Sequence, residues 1–402
     1  MLGNLFSEAT KNFIRQNRFQ DVRKLALSAK SKESAGIDLQ EAMIQIAGRQ
    51  SMEKKLPSWY ENDELIYPRH LSLEQCSSEL TARYKASVVS SLVSRRKLVD
   101  LTGGFGVDCA FLSEKFESAV YVEQQKELCN IAEQNFNSLK LNHIQVVNDD
   151  AVSFLNGMSQ VDCIYLDPAR RDHSGKKIVA ISDCEPDLGL IKRGLLEKSD
   201  SVLVKLSPML DISLALRTLP ETSEIHVVSV DNECKELLFL LKKDLVDSPN
   251  LICVDLKKDG TISSFSFKQQ EEKNAQIHYC QNIKNYLYEP NTSILKAGAY
   301  KTLALKYGLD KLQVDSHLYT SDVCVPDFPG RVFEIETVTS FNKNELKSAM
   351  QDISQANISI RNFPMTTDDL KKKLKLRDGG SLYLFATTLS DGKKVLLLCR
   401  KI

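Results

Sequence analysis

The sequence predicts an α/β protein: a doubly wound, mainly parallel sheet in the middle of the chain, a helical region before it and an α+β region after it. Three observations predict it. Between Leu98 and Asp108 an apolar run passes through Thr102-Gly103-Gly104-Phe105-Gly106 into a helical pattern. Short β-rich runs then alternate with helical stretches, the order that a parallel sheet with right-handed crossovers requires. A further apolar run, Cys163–Leu166, stops abruptly at Asp167-Pro168-Ala169-Arg170-Arg171.

Taken in chain order, residues 1–90 carry apolar residues at helical spacing: Phe13, Ile14, Val22, Leu25 and Leu27, then Leu39, Ala42, Met43, Ile46 and Ala47. Pro57-Ser58-Trp59 interrupts the pattern, and Ser72-Leu73-Glu74-Gln75 suits the cap of a helix bearing Leu80, Tyr84, Val88 and Val89. Strands are expected at Leu98–Leu101, Ala119–Glu123, Ile144–Val147, Val161–Leu166 and Val202–Leu206, with helices starting near Asp108, Lys126, Ala151 and Asp187. Later β-rich runs, Glu224–Val230, Leu251–Asp255 and Ile262–Phe267, have a helical pattern only before the second. Lys257-Lys258-Asp259-Gly260 reads as a hairpin turn, so an antiparallel pair should close one edge of the sheet. From about Gln276 the order is α+β. A helix is expected through Ile294–Tyr307, a strand at Val332–Thr339 and helices after Asn342 and Thr366. The final hairpin, Leu382–Thr388 with Lys394–Leu398, turns at Asp391-Gly392. No internal repeat or low-complexity stretch stands out.

Composition narrows the function classes. Lys plus Arg equals Asp plus Glu at 53 each among 402 residues, so no global field favours a polyanion or a membrane surface. The ten cysteines are scattered without a Cys-x-x-Cys pair and the six histidines are dispersed, which argues against a disulfide framework and against a metal. No apolar run approaches the roughly 18 residues of a membrane span, and Met1 to Asn17 mixes charges with short apolar pairs. A soluble, cytoplasmic protein is expected. Locally the balance tilts. From Phe341 to Ile402 there are twelve basic residues, including Lys371, Lys372 and Lys373, against six acidic ones. Lys11, Arg15, Arg18, Arg23 and Lys24 make a second basic stretch. Such patches suit phosphate binding, although a lysine run is also an ordinary solvated face.

The glycine turn is the first candidate site. Gly103, Gly104 and Gly106 let the backbone turn tightly and approach a ligand closely, as in dinucleotide or adenosyl sites. Alone, this motif does not separate NAD from S-adenosylmethionine. Glu123 closes the second strand, where a carboxylate accepts hydrogen bonds from ribose hydroxyls. Asp149 and Asp150 follow the third strand, within reach of an adenine amino group. Asp100, with Thr102 beyond it, closes the first strand, where an acid can pair with the ammonium of a methionine moiety. Asp167 closes the fourth. In an open parallel sheet these strand ends line one crevice.

Taken as a set, residues from about 72 to 230 resemble the class I, Rossmann-like S-adenosylmethionine-dependent methyltransferases. In that family Asp100, Gly103, Gly104 and Gly106 match motif I, Glu123 motif II, Asp150 motif III and Asp167-Pro168-Ala169-Arg170 motif IV. The segment Glu74–Ala82 is similar to the Ser/Thr-rich stretch before motif I in amino-methylating members, and by that likeness Ser77, Ser78 and Thr81 meet the methionine carboxylate. The resemblance implies S-adenosyl-L-methionine as cofactor. Asp167 and the rigid Pro168 carbonyl would then accept N–H bonds from an acceptor amine. Where relatives carry an aromatic residue that stacks on the base, this chain has Ala169-Arg170. Arg170 or Arg171 can stack through a planar guanidinium or hold a phosphate, or simply pair with neighbouring acids such as Asp172. The carboxyl-terminal order, entered through Phe328-Pro329-Gly330-Arg331, is similar to bacterial methyltransferases with a ferredoxin-like segment and a THUMP-like domain. That likeness implies an RNA substrate. The resulting division is a helical domain at 1–90, a methyltransferase domain at 91–273, a ferredoxin-like segment at 274–331 and a THUMP-like domain at 332–402.

RNA methylation at a base nitrogen is the expected activity. Methylation at pyrimidine carbon needs an attacking thiolate, and Val204–Asp211 contains no cysteine. Lys205 and Ser207 in that stretch border the crevice as substrate contacts or as strand-end residues. Two alternatives stay open: a small-molecule methyltransferase whose end domains form only a lid or a dimer surface, and an RNA-binding protein that keeps the fold without transferring methyl groups. An NAD-dependent oxidoreductase would leave Asp167-Pro168-Ala169-Arg170 without a role.

Overall fold

The computed structural model describes residues 6–29, 36–170, 181, 184–244, 246–351 and 353–402. The chain forms two units, Met1–Ser223 with Leu237–Val246, and Glu224–Glu236 with Asp247–Ile402.

The first unit opens with helices α1 (Glu8–Asn17), α2 (Val22–Ala29), α3 (Leu39–Met52), α4 (Pro57–Tyr60), α5 (His70–Gln75) and α6 (Glu79–Ser90). Ser7, Asp38 and Ser78 cap α1, α3 and α6, each accepting a backbone N–H of the first turn. Phe13, Leu25, Ala42 and Ile46 close a small core between α1, α2 and α3. Pro57 starts a new helix rather than merely ending one, because its missing N–H is no loss in a first turn. The cap expected at Ser72 lies at Ser78. Ser72 sits inside α5, and the chain needs Cys76–Ser78 in extended form before α6 can begin.

Strands and helices then alternate: β1 (Lys97–Asp100), α7 (Val107–Ser113), β2 (Ser118–Val122), α8 (Lys126–Ser138), β3 (Ile144–Val147), α9 (Ala151–Gly157) and β4 (Val161–Leu166). A two-residue ribbon of β5 (Ala169–Arg170) and β6 (Cys184–Glu185) follows, then α10 (Leu188–Lys198), β7 (Ser199–Leu206), α11 (Ile212–Thr218), β8 (Thr222–Val230) and β9 (Glu233–Lys242). In this unit the strand order is β3-β2-β1-β4-β7-β9. The first five are parallel, with Val99 beside Val120 and Ile164, and Ile164 beside Val202. β9 runs antiparallel to β7, Val204 opposite Phe239. The order reverses between β1 and β4, where a doubly wound sheet opens a crevice at its carboxyl edge.

Two expectations are corrected here. The helix anticipated before Leu251 is strand β9. Leu237–Leu241 are all buried, so both faces of that strand are covered, and a short run of consecutive apolar residues has no period that separates helix from strand. Conversely, α11 precedes β8, capped by Asp211 through the Leu214 N–H.

In the second unit β10 (Asn250–Leu256) lies parallel to β8 and antiparallel to β11 (Ile262–Lys268), the hairpin expected at Lys257–Gly260. Next come α12 (Gln269–Asn274), β12 (Tyr286–Pro290), α13 (Thr292–Ala297), α14 (Lys301–Tyr307), β13 (Asp310–Lys311) and β14 (Tyr319–Ser321). The chain ends with β15 (Gly330–Ser340), α15 (Lys343–Ala349), β16 (Asn357–Arg361), α16 (Thr367–Leu374), β17 (Leu382–Thr388) and β18 (Lys394–Lys401). The single helix expected through Ile294–Tyr307 is two, broken where Gly298 turns left-handed and Glu272 caps α14 by accepting the N–H groups of Tyr300, Lys301 and Thr302. Strands β12 to β18 form a seven-stranded sheet in the order β13-β14-β12-β15-β18-β17-β16. Alternation along β17 and β18 divides its apolar residues: Phe385 and Leu397 pack with Leu287 and Phe333, whereas Leu384, Leu396 and Leu398 pack with Leu346 and Leu370 from α15 and α16. Among the described residues no helix is long and apolar enough to cross a membrane.

Phe385 touches Phe333 edge-on with ring centroids 4.9 Å apart and is fully buried. Phe385→Ala should therefore lower stability by roughly 3–5 kcal/mol, read as a shift of the urea unfolding midpoint.

Candidate active site

Asp100, Glu123 and Asp167, which close β1, β2 and β4, share one neighbourhood, and the glycine turn shapes it. Gly103 donates its N–H to Val122 O at 2.9 Å, and Gly106 donates to Gly103 O at 2.8 Å. A Cβ on Gly103 would fall 2.1 Å from the Tyr121 ring, and Gly106 has φ +85° with Phe136 beneath it. These two glycines are demanded by packing and by backbone. Gly104 borders open space. Its N–H donates to Glu123 Oε2 at 3.0 Å, and its carbonyl accepts the Tyr121 hydroxyl at 2.5 Å.

Glu123 is buried. Its Oε1 accepts the Gln125 N–H at 2.8 Å, so the carboxylate is fixed from both sides with lone pairs to spare. Asp100 is 1 % exposed. Its Oδ1 accepts the Thr102 N–H at 3.0 Å, while Oδ2 is buried with no hydrogen-bond partner among the described residues. Burial pushes the Asp100 carboxyl well above the usual range against that one N–H, and the Asp108, Asp167 and Glu123 carboxylates push it further. A buried carboxyl with an orphaned oxygen, ringed by other acids, is short of a cation.

At the end of β4, the Asp167 N–H donates to Thr102 Oγ1 at 2.6 Å, joining this strand end to the glycine turn. Lys205 reaches across from β7 and ion-pairs with Asp167 through Oδ2. Pro168 is buried. Arg170 pairs with Cys184 in the β5–β6 ribbon; Arg171 and Asp172 lie outside the described residues. Ser207 accepts the Met209 N–H at 3.3 Å just beyond β7. Asp150 caps α9, its Oδ1 accepting Val152 and Ser153 N–H groups at 2.9 and 3.0 Å. Asp149 accepts the Asp150 N–H at 2.8 Å.

The Ser/Thr segment has a different first task. Ser78 caps α6, and its Oγ lies 3.2 Å from Thr81 Oγ1. Ser77 donates to Asp108 Oδ2 at 2.8 Å and accepts from Lys85 Nζ at 3.1 Å. Tyr165, from β4, donates to the same Asp108 oxygen at 2.6 Å, and fully buried Lys85 pairs with Asp108 Oδ1 at 3.2 Å. Although burial raises the Asp108 pKa, Lys85 and Lys205 with the Tyr165 and Ser77 hydrogen bonds outweigh it and hold the carboxyl below its ordinary value. Lys85 and this role of Asp108 escaped the sequence analysis. The available signal was a lysine on the core stripe of α6, between Ala82, Ala86 and Val89.

Lys371, Lys372 and Lys373 belong to the second unit, on α16. Lys371 pairs with Asp378, Lys373 lies 4.2 Å over the Phe341 ring, and Lys372 is exposed. At the amino end Lys11, Arg15 and Arg18 pair with Glu8, Glu64 and Asp63, which offsets three of the five basic residues anticipated there. Among the described residues no group of three or more His, Cys, Asp or Glu side chains is arranged to hold a metal.

Residues 84–207 match the family model of conserved hypothetical protein 95, residues 286–329 a ferredoxin-like domain, and residues 330–401 a THUMP domain-like model. No curated protein matches the sequence. A crystal structure from Porphyromonas gingivalis W83, described as a "putative methyltransferase", is 36% identical over 99% of this chain and 99% of its own, with a TM-score of 0.88. TrmK of M. capricolum in complex with S-adenosyl-homocysteine aligns at 12% identity over 42% of this chain and 70% of its own, with a TM-score of 0.32. The fold is that of a class I, Rossmann-like methyltransferase. This chain belongs to that family, in the form with a ferredoxin-like domain and a THUMP-like domain toward the carboxyl end.

Two outcomes follow. Because the folded Asp100 carboxyl binds its proton more tightly than the unfolded one, its contribution to stability is complete below about pH 4 and is lost as pH rises through the folded value. Cofactor-free Asp100→Asn should therefore melt above the wild type at neutral pH, and the gap should vanish in acid. Lys85→Met leaves buried Asp108 without its directly paired ammonium and should cost roughly 3–5 kcal/mol, measured by urea unfolding.

Proposed function

We propose that this protein is a cytoplasmic S-adenosylmethionine-dependent methyltransferase acting on RNA at a base nitrogen. The observation that carries the reading is the buried Asp100 carboxyl with its unpartnered oxygen, at the strand-order reversal beside the Gly103–Gly106 turn. A cationic ligand answers that deficit, and a methionine ammonium has both the charge and the donors. The residues fit the cofactor elsewhere too. Glu123, held by the Gly104 and Gln125 N–H groups, has lone pairs for two ribose hydroxyls. Asp149 and Asp150 each accept backbone N–H groups through Oδ1 and keep Oδ2 as an acceptor for an adenine amino group. Ser78 and Thr81 are the candidates for the methionine carboxylate, with Ser77 and Lys85 behind them. S-adenosylmethionine, when bound, supplies an electrophilic methyl group.

The chain's part is then to position the nucleophile and exclude water. Asp167 accepts an N–H of the acceptor amine, and the Pro168 carbonyl, on a fixed backbone, accepts a second. Lys205 holds Asp167 in place at the substrate side of the crevice. Ser207, just beyond β7, and Arg170, in the β5–β6 ribbon, are further candidates for substrate contact. A paired base must first leave its stack, at a cost of a few kcal/mol. Support for RNA comes from the THUMP domain-like match and from the twelve-to-six basic excess after Phe341, where Lys372 is exposed. In this reading residues 91–273 perform the chemistry, 274–331 and 332–402 present the RNA, and 1–90 cover the site through Ser77 and Ser78.

The test supplies S-adenosylmethionine with a labelled methyl group and total RNA from cells lacking the protein. Label should enter RNA and fall roughly 100-fold with Asp167→Ala. Wild-type label in a metabolite fraction instead would assign a small-molecule acceptor. Cofactor binding without transfer to any fraction would assign a silent RNA-binding protein.

A further inference from the structure

Within the second unit, β12 and β15 pair so that Glu289 lies opposite Arg331. The Glu289 side chain is only 3% exposed, yet it serves two guanidiniums. Arg331 donates to Oε2 through Nε at 2.8 Å and through Nη2, and Arg361, from the edge strand β16, donates to Oε1 through Nη2 at 2.7 Å. The Ser359 hydroxyl adds a bond to Oε1 at 3.3 Å. One carboxylate against two guanidiniums leaves the cluster one positive charge in excess. The two arginines are not sealed in: their side chains are 35% and 36% exposed. Each guanidinium carries five N–H donors, more than Glu289 and the Ile360 carbonyl, which takes Arg361 Nη1 at 3.0 Å, can absorb.

The surroundings are built to hold these groups. Arg331 lies over the Phe333 and Tyr383 rings at 5.6 and 5.9 Å, which fixes its plane. Arg361 leads into Asn362 at φ +51°, whose Nδ2 donates to Gln313 Oε1 at 2.9 Å. In the same loop as Gln313, His317 also has φ +51°, stacks on Tyr300 at 3.7 Å, and keeps a buried Nδ1 without a hydrogen-bond partner among the described residues.

We propose that Arg331 and Arg361 form an anion site for a phosphodiester of the RNA backbone, an inference that rests on the RNA reading above. Two forked donors held on one carboxylate suit a tetrahedral oxyanion. The single excess charge matches the single charge of a phosphodiester. Glu289 is the positioning residue, and the arginines are the contacts.

Full-length protein, wild type and with Arg331→Gln, Arg361→Gln or both, is titrated with end-labelled total RNA over a range of salt. It is also melted with and without dimethyl phosphate. Each single substitution should weaken RNA binding about tenfold and flatten the salt dependence by about one contact. Stabilisation by dimethyl phosphate should disappear in both singles. Wild-type RNA affinity and salt slope in folded single variants would overturn the proposal and make the cluster a strut. Loss of the phosphate effect in the variants, with no RNA binding by the wild type, would overturn the RNA assignment and leave an anion site for another phosphodiester. The single variants remove one exposed arm each, so they decide between these outcomes even if the double variant does not fold.

Discussion

The carboxylate of Asp108 is the constraint on which the candidate active site depends. It sits in the first turn of α7 and gathers the Lys85 ammonium from α6, the Ser77 hydroxyl from the segment before α6 and the Tyr165 hydroxyl from β4. Four stretches of chain are thereby fixed around the point where the glycine turn leaves β1. The cost of burying that charge is met only with all three partners present. The network also explains why Asp100 can remain unsatisfied a short distance away. Lys85 is engaged with Asp108 and Lys205 with Asp167, and among the described residues no cation reaches the Asp100 oxygen.

The second unit solves a related problem in the opposite sense. There the buried group is again a carboxylate, Glu289, but it meets more positive charge than it can cancel. One unit presents a deficit of cation and the other a surplus. Neither feature is visible in the overall balance of 53 basic and 53 acidic residues, because electrostatic function resides in local inequality and not in the sum.

Much of this was legible in the sequence, for a reason that particular residues make plain. Asp100, Glu123, Asp149 and Asp167 each end or follow an apolar strand, and topology alone brings parallel strand ends to one edge. Gly103 and Gly106 announced a turn that tolerates no Cβ. What the sequence hid was partnership across distance. Lys85 passed as one charge among several on α6, and only the folded chain supplies Asp108 as its partner. Ser72 read as the cap of the helix that Ser78 in fact caps, because the extended stretch between α5 and α6 leaves no local mark in the sequence. Leu237–Leu241 carried hydrophobicity without periodicity, so their strand character came from the sheet that accepted them and not from any local preference. Arg15 and Arg18 counted as free charge until Glu64 and Asp63 were found against them.

The path of the chain between the two units has one further consequence. Residues 224–236 belong to the second unit, yet 237–246 return to complete the first before the chain departs again. No single cut yields both units whole. A fragment ending at Ser223 lacks the strand β9 that covers β7, and one ending at Val246 carries β8 without its neighbour β10. Interleaving of this kind means that a growing chain cannot finish its first unit until it has begun its second.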